Sequence, residues 1–215
     1  MKKEKFAVID YGIGNLGSVI RALNYLNFNF KVIFNPKNLQ AFDGYILPGV
    51  GAFGDGIAHL RKRGFEDSLK AYVQKGRPLL GICLGMQLLM TRSFEFGTHE
   101  GLNLIPGEVK RLDVSSECKI PHIGWNQLKP PSSIENDNFW KNTLLHSINP
   151  NSEVYFVHSF VVCPNAKSHI LAATSYGQND FCSVIQKDNI VGCQFHPEKS
   201  GKIGLNILKN IFKYF

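Results

Sequence analysis

One stretch limits the fold of this chain more than any other: Pro78-Leu79-Leu80-Gly81-Ile82-Cys83-Leu84-Gly85-Met86-Gln87-Leu88-Leu89-Met90. An apolar run that reads as a buried strand reaches Cys83, a glycine stands two residues before the cysteine and another two after it, and an apolar helix-forming segment follows. That is the pattern of a strand-turn-helix elbow. Such a turn holds its central residue in a sparsely populated backbone conformation. It also packs strand against helix so closely that side chains at the flanking positions would clash, which is why glycine is needed there. The thiol then stands proud of the sheet edge, over a helix N-terminus whose partial positive charge and unpaired N–H groups favour thiolate. The plainer reading of a lone cysteine is burial at a sheet–helix junction. The paired glycines and a motif far downstream weigh against it.

The chain before the elbow alternates strand with helix. Phe6 to Ile9 reads as a strand, Asn15 to Asn27 as a helix, Lys31 to Phe34 and Asp43 to Leu47 as two more strands, and Ala58 to Arg63 and Phe65 to Lys75 as amphipathic helices. This alternation predicts an α/β fold, a flavodoxin-like open, mostly parallel sheet with helices on both faces and ligands at the carboxyl ends of its strands. Two of those strand ends are glycine-rich. Gly12, Gly14 and Gly17 match the Gly-x-Gly-x-x-Gly dinucleotide fingerprint, but the second strand ends in Asn35-Pro36, without the acidic residue that would hold a ribose. A tight turn feeding the first helix is the better reading. Pro48-Gly49-Val50-Gly51-Ala52-Phe53-Gly54-Asp55-Gly56 follows the third strand and gives a backbone free to bring N–H groups close to a ligand.

After Met90 the pattern changes. Thr91 to Glu100 reads as a polar loop, Leu102 to Ile105 and Glu108 to Leu112 as short strands, and Pro121 to Asn126 as a loop with a surface role. Ser132 to Asn138 reads as turn-rich, and Phe139 to His146 as a short helix. Glu153 to Val162, His169 to Ser175, Phe181 to Gln186 and Ile190 to Phe195 are closely spaced β-like runs. They predict an antiparallel extension of the same domain in the second half, closed by a packing helix from Gly201 to Phe215.

At 215 residues, 44% hydrophobic, the chain suits one large domain spanning 1–215. The net charge of +7 is scattered, with no basic run interleaved with aromatics, which argues against nucleic acid. The five cysteines never form a Cys-x-x-Cys pair, which suits a reducing cytoplasm and argues against disulfides or zinc. The apolar run after the basic start stops at Asp10, so neither a signal peptide nor a membrane span is expected.

The motif far downstream is His196-Pro197-Glu198-Lys199. A histidine and a glutamate two apart, with proline between them, can point to one place. The carboxylate accepts the Nδ1 proton, Nε2 faces a nucleophile, and Cys83 completes a cysteine-type triad. Gly81-Ile82-Cys83-Leu84-Gly85-Met86-Gln87 together with His196-Pro197-Glu198 resembles the class I, cysteine-triad glutamine amidotransferases. Pro48-Gly49-Val50-Gly51, Pro121-His122-Ile123-Gly124-Trp125-Asn126 and Tyr155-Phe156-Val157-His158-Ser159 resemble, within them, the glutaminase subunits of imidazole glycerol phosphate synthase, of histidine biosynthesis.

The resemblance implies attack by Cys83 on the side-chain amide of glutamine, with His196 as base and Glu198 as its orienter. It implies an oxyanion site at Leu84, Val50 and Gly51, and glutamine contacts at Gly51, Gln87, Glu95, Ser159 and Phe160. No cofactor and no metal are needed. Ammonia would pass to a barrel-shaped cyclase subunit in a heterodimer, facing Asn15, Pro121, His122, Trp125, Tyr155 and Lys199. Phe94 to Glu100 is more aromatic than that family's pattern and resembles a paralogous branch serving surface-polysaccharide sugar modification, and Phe160 stands where tyrosine is common. Two further alternatives are a non-catalytic nucleotide-binding or regulatory module built on the Gly12–Gly17 turn, and a cysteine peptidase with a similar triad.

Overall fold

The structure, a computed structural model, describes residues 5–37, 39–114, 118–132 and 139–214. Its elements in chain order begin with β1 (Lys5–Ile9), α1 (Leu16–Tyr25), β2 (Asn29–Ile33), β3 (Gly44–Gly49), α2 (Phe53–Lys62), α3 (Phe65–Val73), β4 (Leu79–Cys83) and the short α4 (Leu84–Leu88). There follow β5 (Met90–Ser93), β6 (His99–Glu100), β7 (Ile105–Arg111), β8 (His122–Gln127), β9 (Glu153–His158), β10 (Phe160–Pro164), β11 (Ile170–Tyr176), β12 (Asn179–Lys187), β13 (Ile190–Cys193) and α5 (Gly201–Tyr214). The main sheet has the order β11-β12-β13-β4-β3-β1-β2. The pairings from β2 through β13 are parallel, and β12 and β11 extend the sheet antiparallel. The parallel part, read from β2, is the flavodoxin-like order with β13 in the fifth place.

Residues alternate along these strands between two apolar layers. Ala7, Ile9, Tyr45 and Leu47 pack with Ile57, Leu60, Phe65 and Leu69 of α2 and α3. Val8, Ile46, Leu80 and Val191 pack with Val19 and Leu23 of α1 and with Ile207, Leu208 and Ile211 of α5. Both faces being covered is why the strands read as nearly continuous apolar runs. Burying a residue such as Ile207 stabilises by about 1.5–3 kcal/mol. That outweighs Gly204 within α5, which costs about 1 kcal/mol. Glycine is retained because a Cβ at 204 would strike the Pro197 carbonyl oxygen. The closing helix therefore buttresses the turn that carries His196 and Glu198.

The expected antiparallel extension of the domain is shared among several sheets, only β11 and β12 joining the main one. A separate four-stranded sheet has the order β10-β7-β5-β6, and β8 pairs with β9 as a ribbon. Thr91 to Glu100 is therefore a hairpin of β5 and β6, not a loop, while Leu102 to Leu104 is irregular. Pro121 to Asn126 is mostly strand, because its side chains alternate between an interior aromatic cluster and solvent. Glu153 to Val162 is two strands: β9 pairs with β8, the chain bends at Ser159, and β10 pairs with β7. Phe139 to His146 forms turns, not a helix. Asn142 has φ 60°, and the indole of Trp140 is tied to the Leu171 carbonyl at 2.8 Å. The second helix starts at Phe53, ahead of the expected Ala58. Most of the turn-rich stretch, 133–138, lies outside the described residues.

Candidate active site

The elbow is built as its glycines require. Cys83 ends β4 with φ 53° and ψ −111°, a conformation that costs about 1–3 kcal/mol for a non-glycine residue. A Cβ on Gly81 would lie 2.7 Å from the Gly85 carbonyl oxygen, and one on Gly85 would collide with the carbonyl of Leu47 in the neighbouring strand. Leu84 opens α4, so its N–H is among those left without a partner within that helix. Cys83 stands opposite Gly49 in the β3–β4 register, which puts the sulfur beside the 48–51 loop.

Parallel pairing brings the second motif to the same sheet edge. Cys193 of β13 lies opposite Ile82 of β4, and His196 follows three residues later. His196 Nδ1 and Glu198 Oε1 are 2.8 Å apart, and both side chains are 3% exposed. The turn is fixed by His196 N–H to the Tyr155 carbonyl at 2.9 Å and by Ser200 Oγ–H to the His196 carbonyl at 2.7 Å. Burial alone would strip the imidazole of its proton, but Cys83 and then Glu198 outweigh it and raise the pKa to about 10. Nε2 meets no partner at hydrogen-bond geometry, so Cys83 acts on it as a nearby sulfur and not through a formed bond. The Cys83 S–H instead points to the Val157 carbonyl, 3.9 Å away.

A cleft of about 250 Å³ opens beside Cys83. It gathers Val50, Gly51, Leu84, Gln87, Glu95, Ser159 and Phe160 along its walls, which are all the oxyanion and glutamine-contact positions expected from the sequence. Pro121, Val157 and His158 also line it. Gln87 Nε2 donates to the Phe160 carbonyl at 3.0 Å and to Gln194 Oε1 at 3.3 Å. Glu95 Oε2 accepts the Phe53 N–H at 2.6 Å, so it caps the start of α2 while facing the cleft. Burial pushes its carboxyl above the usual carboxylate range, against the opposing pull of that N–H.

The positions expected from the resemblance to face a partner divide. Asn15, Pro121, Trp125 and Lys199 are exposed, Tyr155 is half-buried, and Lys199 Nζ sits 5.9 Å from the centre of the Tyr155 ring. Trp125 pairs with Tyr155 across the ribbon, and Ile123 and Trp125 are 60% and 54% exposed. His122 does not belong with them. It is 3% exposed, stacked on Tyr176 and Phe156, with Nδ1 3.2 Å from His158 Nε2. In a strand its side chain alternates inward where Ile123 and Trp125 point out. Burial lowers the pKa of His122 to about 4 and of His158 to about 3.

Gln194 escaped the sequence reading. It is fully buried, and Nε2 lies 3.8 Å from Cys83 Sγ. A polar residue in the apolar run from Ile190 to Phe195 was the available signal, since a buried amide needs partners. The Gly12–Gly17 turn is a backbone device: Gly12 N–H is held by Asp10 Oδ1 at 2.9 Å, and Gly12 and Gly14 take φ 94° and 143°, which favour glycine. Among the described residues no group of three or more His, Cys, Asp or Glu side chains could hold a metal, and no helix is long and apolar enough to cross a membrane.

An elbow cysteine at the carboxyl edge of a doubly covered parallel sheet, with a buried His–Glu pair behind it, defines a triad amidotransferase. The family model described as Glutamine amidotransferase class-I matches residues 7–214, and the chain belongs to that family. Among its relatives, it is 45% identical over 211 residues to imidazole glycerol phosphate synthase subunit HisH 1 of Legionella pneumophila (strain Paris), covering 96% of this chain and 98% of that one. It is 48% identical over 203 residues to imidazole glycerol phosphate synthase subunit HisH of Caldanaerobacter subterraneus subsp. tengcongensis, covering 94% and 95%. In fold it matches a solved chain of PurLQS from Thermotoga maritima with TM-score 0.75 at 18% identity, covering 99% of each.

Proposed function

We propose that the chain, as one amidotransferase domain, is the glutaminase subunit of an imidazole glycerol phosphate synthase. The Cys83 sulfur attacks the side-chain amide carbon of glutamine, and a C–S bond forms as the carbonyl electrons move to oxygen. The N–H of Leu84 and one from Val50–Gly51 receive that oxyanion. As the C–N bond breaks, His196 hands its proton to departing ammonia. It then takes a proton from the water that cleaves the thioester, releasing glutamate. Glu198 holds the imidazole in place and stabilises its charge. Gln87, Gly51 and the backbone at Ser159 and Phe160 hold the substrate, and Glu95 faces its ammonium.

The observation that carries this reading is a single cleft holding both Cys83 and Gln87, with the buried His196–Glu198 pair acting on the Cys83 sulfur. The relatives' names support delivery of ammonia to a cyclase subunit and favour the histidine pathway over the polysaccharide branch. That subunit, a barrel, would use ammonia on a phosphorylated ribulosyl-formimino nucleotide, so any lyase step belongs to the partner. The β8–β9 ribbon supports a docking face, because it exposes Ile123 and Trp125 while Val157 of the same ribbon lines the cleft. Steady-state glutamine hydrolysis tests the proposal: the isolated chain is expected to be nearly inactive, and a cyclase loaded with its acceptor to raise the rate by orders of magnitude. Full activity from the chain alone would contradict the proposed coupling.

A further inference from the structure

The scheme above gives Gln194 no part, although its side chain is 0% exposed and touches the nucleophile. Its orientation is fixed from outside. The Phe160 carbonyl can only accept, so the group that Gln87 sends to it at 3.0 Å is nitrogen. The same nitrogen lies 3.3 Å from Gln194, which must answer with Oε1. Nε2 of Gln194 is thereby left facing Cys83 Sγ at 3.8 Å. The Phe160 carbonyl is itself held by His158 Nδ1 at 3.1 Å, and His158 Nε2 by His122 Nδ1 at 3.2 Å. A continuous chain of bonds therefore runs from the interior of the ribbon, past the substrate-facing glutamine, to the sulfur.

We propose that Gln194 is a catalytic residue whose side-chain N–H donates to Cys83 Sγ, stabilising the sulfur anion before attack and again when water breaks the C–S bond of the thioester. The sulfur sits between a carbonyl acceptor at Val157, which suits the S–H form, and this donor, which suits the anion. Hydrogen bonds to an ion are roughly twice as strong as neutral ones, so the donor biases the balance toward thiolate. No proton leaves Gln194; His196 carries it. The other end of the same amide ties the donor to Gln87, so nucleophile and substrate-facing side chain are positioned by one residue. The role rests on Cys83 being the glutaminase nucleophile proposed above.

Gln194→Met keeps length and approximate volume while removing the amide. In the full chain, alkylation of Cys83 by iodoacetamide, quantified on the Cys83 peptide by mass spectrometry across pH, reads the thiolate directly. The midpoint is expected to move up by about one pH unit, slowing alkylation about tenfold on the acidic limb of the profile. With the cyclase present, kcat for glutamine should fall by a similar factor, about tenfold. Gln194→Asn, which keeps an amide one methylene short of the sulfur, is read the same way and should shift the midpoint in the same direction. An unchanged midpoint in either folded variant overturns the role. Failure of an electrophilic glutamine analogue to label wild-type Cys83 would instead overturn the glutaminase reading beneath it.

Discussion

Replacing Glu198 by glutamine separates the charge of the His196 partner from its shape. The Oε1 that accepts from His196 Nδ1 at 2.8 Å has an amide counterpart of the same reach, so the imidazole keeps its tautomer and direction. The amide nitrogen would take the place of Oε2, which is buried without a hydrogen-bond partner, so the exchange adds no unsatisfied group that was not already there. Because His196 is imidazolium in the folded chain at neutral pH, folding stability there should fall by about 1–2 kcal/mol, or about 2–8 °C in Tm for a chain of this size. What is lost is the anion. Hydrogen bonds to charged groups contribute about 1.5–3 kcal/mol against about 0.5–1.5 for neutral ones. Imidazolium, and the transition states that develop it, should therefore lose about 1–2 kcal/mol, or roughly 5- to 30-fold in rate. Glu198 is also one of the two groups that hold the His196 pKa up at about 10, so the alkaline limb of kcat/KM should move toward neutral pH. The assay is glutamine hydrolysis against pH with the cyclase present, alongside thermal unfolding. Wild-type rates and an unmoved alkaline limb would refute the orienting role of Glu198. So would a complete loss of activity accompanied by unfolding, which would make the residue structural.

Gly85→Ala drives a methyl into the Leu47 carbonyl, and overpacking of this kind costs about 1–3 kcal/mol. Differential scanning calorimetry should show Tm lowered by about 2–12 °C, and hydrolysis should fall further than stability does, because β3 carries the 48–51 loop; an unchanged Tm would contradict the close approach. Stability measured by denaturant titration should peak between acid and alkaline pH, for reasons of opposite sign. His122 and His158 have folded pKa values of about 4 and about 3, so the unfolded chain takes up their protons first. Stability is then lost as pH falls below about 6.5, by up to about 1.4 kcal/mol per pH unit for each imidazole. His196, raised to about 10, contributes fully below about 6.5 and loses that contribution as pH climbs toward 10. Stability rising steadily into acid would contradict the buried neutral pair.

The parts of the fold legible in the sequence are those where the backbone itself makes a demand. Gly81 and Gly85 are required by contacts with Met86, Gly85 and Leu47, and such demands leave the same spacing in any chain that meets them. The parallel, doubly covered sheet around Cys83 followed from the alternation of strand and helix. The second half was less legible because its apolar spacing serves two ends. Trp140, Leu144, Leu145 and Ile148 recur as they would on a helix, yet they reach the core through turns broken by Asn142. The run from Glu153 to Val162 continues across Ser159 with no turn residue stronger than serine, although the chain changes sheets there and opens the cleft wall. In β8 the proline, glycine and aromatics suggested a loop, and only the structure shows that His122 turns inward while Trp125 faces out. Glu95 is expected from the resemblance as a glutamine contact, and its bond to Phe53 adds a capping role that no local pattern announces.

The central claim is that Cys83 is the glutamine-directed nucleophile of this cleft. Incubating the full chain and its cyclase with a glutamine analogue bearing an electrophilic side chain, then mapping the adduct by peptide mass spectrometry, tests it most directly. One adduct is expected, on Cys83, suppressed by excess glutamine, absent in Cys83→Ala and slowed in Glu198→Gln. Labelling of Cys118 or Cys163 in place of Cys83, or labelling of Cys83 that glutamine does not suppress, would contradict it.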